Sequence, residues 1–154
     1  MIPKPALRAR GGTAVVRKSA TGPVHHLLDI YDTHLHLATN RRAWATLRRR
    51  YPGLVEEAPD SMGWCRMATF HPKGGAASQL HLVLYINLAQ HQDGLDELVN
   101  TCAHEATHAA LSLQDHIGHD PRGSADEPTA YLAGWITGWI WRNLPDPEPA
   151  TTED

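Results

Sequence analysis

The sequence predicts an α+β domain in which a small antiparallel (or mixed) sheet packs on two later helices. Three observations carry this. Residues 29–38 and 80–88 alternate in side-chain character, which is strand periodicity. Residues from about 94 to 113 and from about 125 to 143 repeat apolar side chains at helical spacing. The order strand, helix, strands, helix, helix groups the elements instead of alternating them. A length of 154 residues suits one such domain.

The first strand is expected from Asp29 to Ala38. Tyr31, Thr33, Leu35 and Leu37 share one face, and Asp32, His34 and His36 share the other. Thr39 or Asn40 then caps a helix through Arg50, with Ala43, Trp44 and Leu47 on one side. Tyr51-Pro52-Gly53 ends it. Residues 53–63 read as loop and Trp64 to Phe70 as a strand, and Pro72-Lys73-Gly74-Gly75 opens a long turn. In Leu80 to Leu88, Leu82, Leu84, Ile86 and Leu88 face one way, and His81, Val83, Tyr85 and Asn87 the other. Together these suggest an antiparallel arrangement of about three strands. Asp93 is a good cap for the next helix, with Glu97 in its first turn. Its apolar stripe is Leu95, Leu98, Val99, Cys102, Ala106, Ala109 and Leu113. A polar loop with Gly118, Pro121 and Gly123 leads to the last helix, which Pro145 stops.

Charge divides the chain into three parts. Residues 1–24 carry five bases and no acid, and read as a basic flexible arm. Residues 25–144 form the folded domain, and 145–154 an acidic flexible tail. The formal net charge of −3 gives no general case for nucleic acid, although the arm can touch nucleic acid or an acidic partner. Two cysteines, Cys65 and Cys102, without a CxxC pair read as free thiols in a reducing compartment. No apolar leader and no membrane-length apolar run is present, so a soluble cytoplasmic protein is expected.

The chemistry lies in His104-Glu105-Ala106-Thr107-His108, an HExxH motif within the expected helix. Residues four apart lie one turn apart on one face, so both imidazoles can reach one ion. Zinc suits imidazole and, with three protein ligands, keeps a position open for water. Glu105 is placed to take the proton of that water as general base and pass it to a leaving amine. The bland alternative is a chance surface pair in a chain with 11 histidines.

With Glu127 at the start of the last helix, the sequence resembles the gluzincin zinc peptidases, in which HExxH is followed by a ligand glutamate on a second helix. The motif and Asp126-Glu127-Pro128-Thr129-Ala130-Tyr131 are also similar to small metallopeptidases encoded by bacteriophages. The resemblance covers about residues 80–140 and is most specific at HExxH. It implies a zincin-like fold, Zn2+ on His104, His108 and Glu127, and a peptide or protein substrate lying beside an edge strand. Leu80 to Leu88 is the expected edge. A phage origin would place the protein in the host cytoplasm.

Pro128 is tolerated only near a helix start and so holds Glu127 in the first turn. Gly134 and Gly138 face a motif helix rich in alanine, which permits close approach. Ser124 and Glu127 also fit a capping box, however, and Asp126 is a rival ligand. Many gluzincins carry an acid one turn after the third ligand. Here Tyr131 stands there, either orienting a histidine and assisting catalysis or packing as a core tyrosine. His116 and His119 can line the cleft but do not fit the metzincin pattern. His34, His36 and His81 belong on a polar sheet face, and Trp135, Trp139 and Trp141 read as core or interface anchors. The second functional expectation is a catalytically silent zinc-binding module or adaptor, associated with nucleic acid through the basic arm.

Overall fold

The computed structural model describes residues 22–91, 94–120 and 126–145. The expectations for most of the basic arm, the Asp93 cap, the Ser124 cap and nearly all of the acidic tail lie outside them. The architecture is α+β: a four-stranded mixed sheet and three α-helices.

The chain opens with β1 (Val24–Leu28), a 3-10 turn (Asp29–Tyr31) and β2 (Thr33–Ala38). The single strand expected over 29–38 therefore begins only at Thr33, and its first residues form a corner. Asp32 takes a left-handed backbone (φ 45°), a conformation that short polar side chains tolerate better than most. Helix α1 (Arg41–Arg50) starts at Asn40, whose side chain accepts from the Ala43 amide at 2.8 Å. Ala43, Trp44 and Leu47 are its buried face, as their spacing predicts. Then follow β3 (Gly63–Phe70) and β4 (Gln79–Ile86).

The sheet order is β1-β2-β4-β3. β1 and β3 pair antiparallel to their neighbours, while β2 and β4 run parallel, with Thr33 beside Leu80 and Leu37 beside Leu84. Two expectations are corrected here. The sheet is the mixed alternative but has four strands, not about three, and the segment 80–88 is central, not an edge. The reason is burial on both faces: His81 to Ile86 are all buried, so the second face of β4 is covered like the first. The edges are β1 and β3.

Helices α2 (Leu95–His116) and α3 (Glu127–Asn143) cover one face of the sheet. Leu35, Leu37, Leu82, Leu84 and Ile86 meet Cys102, Ala106, Ala109, Ala110 and Leu113 of α2, and Leu132, Ile136 and Ile140 of α3. The α2 stripe is buried only from Cys102 onward; Leu95 and Val99 are exposed. Trp139 is buried, whereas Trp135 and Trp141 are partly exposed. On the other face, α1 and the loop after it pack Trp44, Leu47, Leu54 and Val55 against Ala38, Val83 and Tyr85. The Trp44 indole donates to the Glu56 carbonyl at 2.9 Å, which satisfies its buried N–H. Both cysteines are free. Among the described residues, no helix is long and apolar enough to cross a membrane.

Candidate metal and proton-transfer site

The HExxH motif sits mid-helix in α2, as expected. His104 and His108 are exposed, one turn apart. Their Nε2 atoms lie 3.0 Å apart, with ring centroids at 4.6 Å and planes nearly perpendicular. Two nitrogens on one tetrahedral zinc, each at about 2.0–2.1 Å, stand roughly 3.3 Å apart. The pair therefore fits a shared ion with a movement of a few tenths of an ångström.

Glu105 is buried beneath the start of β3. The contact is made possible by Gly63. A Cβ there would stand 2.6 Å from Glu105 Oε1, 2.7 Å from its Cγ and 2.7 Å from Thr101 Cγ2. Burial raises the pKa of the Glu105 carboxyl, and the neighbouring His104 and His108 act against that rise. Cys65, two residues along β3, feels the same environment. Burial pushes its thiol up to about 12, with the Glu105 charge adding to the effect.

One contributor was not apparent from sequence. His91 follows the short 3-10 turn after β4 and is half-buried. Its Nδ1–H donates to the Asn87 carbonyl at 2.8 Å, which leaves Nε2 to accept from the Thr101 hydroxyl at 2.9 Å. Thr101 lies one turn before Glu105 on α2 and flanks it beneath Gly63. His91 thus ties the end of β4 to the wall of the Glu105 pocket. Only the tertiary fold brings these residues together; the sequence signal was a histidine in a loop.

Glu127 is the first residue of α3, with Pro128 in the first turn as expected. Asp126 occupies the cap position but makes no side-chain cap bond. Both carboxylates are exposed. Among the described residues, no three His, Cys, Asp or Glu side chains gather at a point that could hold a metal ion. The structure thus joins His104 and His108 and does not bring Glu127 to them. Tyr131 is 76% exposed, so it is not the packed core tyrosine of one expectation. It lines an open apolar groove of about 550 Å³ with Ile30, Tyr31, Pro128, Leu132 and Trp135. His116 ends α2 and is exposed, and His119 is half-buried just after it.

His34, His36 and His81 share a sheet face as expected, but that face is not a solvated one. His36 and His81 are buried and His34 is half-buried. Comparison with protein-family models, with curated proteins and with solved structures gives no match to the chain.

Proposed function

We propose that this protein is a zinc-dependent peptidase with a zincin-like arrangement. The observation that carries the reading is the His104–His108 pair, with nitrogens 3.0 Å apart on one helix face and the buried carboxyl of Glu105 between them in sequence. When bound, zinc supplies a Lewis acid that lowers the pKa of a water and polarises a carbonyl. His104 and His108 hold it through neutral Nε2 atoms. Glu127 completes the ligand set in this proposal, by approach of the α3 start to the histidine pair. Glu105 takes the proton of the attacking water and returns it to the leaving amine. Its raised pKa makes it a stronger base than an exposed carboxylate. The rim of Gly63 and Thr101 keeps that carboxyl in its pocket. The edge strand β3 starts at this pocket, and its free side can take an extended substrate as an added strand. The resemblance to gluzincins and to phage-encoded metallopeptidases supports the same reading, including action in a host cytoplasm.

One observation favours a second reading. Glu105 is buried beneath Gly63 while His104 and His108 are exposed, and a carboxyl held back from the ion would leave a silent zinc-binding module or adaptor. The test is zinc content and hydrolysis of a mixed peptide library by the parent, His104→Ala, His108→Ala and Glu105→Gln. The enzyme reading expects about one equivalent at this site, lost in either histidine variant. Glu105→Gln should keep the metal and lose turnover. Equal turnover by parent and Glu105→Gln rejects the general base, and metal binding without any turnover supports the adaptor.

A further inference from the structure

The sheet face covered in part by α1 holds four histidines that the proposed peptidase does not use. His25 on β1 is the register partner of His36 on β2, and His34 on β2 is the partner of His81 on β4. His34 and His36 are two apart on one strand and so project the same way. The four rings form one patch. His34 and His81 stack at 4.7 Å, His36 and His81 at 5.0 Å, and His25 lies 5.0 Å from His36 and 5.2 Å from His34. Two nitrogen pairs result: His36 Nε2 to His81 Nδ1 at 2.8 Å, and His25 Nε2 to His34 Nδ1 at 3.0 Å. Tyr51 and Phe70 wall the inner end. His25 is exposed and His34 half-buried, so the patch opens to solvent at its outer end.

A buried histidine is usually settled by a carboxylate or a backbone group. Here the charged neighbours that bear on His25, His36 and His81 are the other histidines and Arg50. The remaining side-chain contact is a long one, His81 Nε2 to Gln79 Oε1 at 3.4 Å. We infer that this face is a second metal site, distinct from HExxH, which takes an imidazole-seeking divalent transition-metal cation such as zinc, nickel or cobalt. His36 and His81 form its inner pair, and His34 and His25 supply the outer donors.

The chemistry follows from the nitrogen pairs. Each neutral pair shares one proton between two lone pairs. An ion that takes the inner pair binds both nitrogens, the shared proton passes to the other nitrogen of its own ring, and the 2.8 Å separation widens to roughly 3.3 Å. The donor set is all imidazole, which suits zinc, nickel, copper or cobalt and not calcium or magnesium. In the structure the rings stand as two pairs and not as one converged set. Binding turns the His34 ring out of its stack toward the inner pair, a side-chain movement at the accessible end.

The test uses the full chain carrying His104→Ala and His108→Ala, so that only the second site reports. Cobalt(II) chloride is titrated while the visible d–d bands are recorded, with circular dichroism as the check on folding. About one equivalent should bind with bands of nitrogen coordination. Adding His25→Gln and His34→Gln, the two more accessible positions, should weaken it at least tenfold without loss of fold. A folded His104→Ala/His108→Ala chain that binds no cobalt overturns the inference. So does binding that His25→Gln and His34→Gln together leave unchanged. The two metal proposals fail separately: an ion lost with the HExxH histidines supports the first alone, and an ion retained without them supports the second.

Discussion

Acid should unfold this protein through its paired histidines. His36 and His81 are buried, with pKa values lowered from 6.5 to about 3 and about 4. A base whose pKa is lower in the fold takes up its proton first in the unfolded chain. The stability that these rings contribute is therefore complete above 6.5 and is lost as pH falls from 6.5 toward 4 and 3. At pH 5 each ring is almost wholly charged when unfolded and almost wholly neutral when folded. That lies 1.5 pH units below 6.5, at about 1.4 kcal/mol per unit, or about 2 kcal/mol per ring. The pair together should cost about 4 kcal/mol between pH 7 and pH 5, a large share of the roughly 5–15 kcal/mol that stabilises a domain. The groups facing the pair, His25, His34 and Arg50, add positive charge and oppose protonation further. Glu105 acts in the opposite sense: its pKa is raised in the fold, so acid stabilises the folded form through that residue. The assay is urea unfolding at pH 7, 6 and 5 with a chelator present, for the parent and for His36→Gln/His81→Gln. Unfolding free energies that agree at pH 7 and pH 5, or a slope that the double variant does not flatten, would refute the reasoning.

Three further outcomes are expected. Gly63→Ala should push Glu105 and Thr101 aside, lowering stability by about 1–3 kcal/mol and reducing turnover, as read by urea unfolding and peptide hydrolysis; unchanged values would show that the close approach is not kept in solution. Glu127→Ala should weaken zinc binding by orders of magnitude in competition with a chelator, while Ser124→Ala should leave affinity intact; equal affinity in the parent and Glu127→Ala would remove Glu127 from the ligand set. Trp44→Ala should lose about 3–5 kcal/mol, because it empties the centre of the second core and leaves the Glu56 carbonyl without its indole donor.

Local signals in the sequence carried the helices. Asn40 caps α1 through its own side chain, the apolar spacing of Ala43, Trp44 and Leu47 marks the buried face, and HExxH falls mid-helix with its histidines paired. Strand β1 was missed because Val24-His25-His26-Leu27-Leu28 does not alternate. The parallel pairing of β2 with β4 was missed because hydrophobic pattern does not record which distant strand is the neighbour. The same limit hid the four-histidine patch. Alternation gave the shared face of His34 and His36, but only the register sets His25 and His81 against them. Gly63 and His91 owe their roles to the contact between α2 and the edge of the sheet, which leaves no local mark.

The parallel ladder at the centre of the sheet also bears on how the chain is made. Strands β1 and β2 form a local hairpin, and β3 and β4 form another, yet neither has a complete core of its own. During synthesis, β2 and α1 are made before Gln79, the first residue of the strand that must lie beside β2, has been added. Through that interval Leu35 and Leu37, wholly buried in the finished fold, have no strand β4 and no α2 to cover them. Distant pairing of this kind is slow, because the intervening chain must be closed before any contact rewards it. Nascent chains halted in the turn before Gln79 should therefore bind chaperones and aggregate, while chains released after α3 fold as one unit.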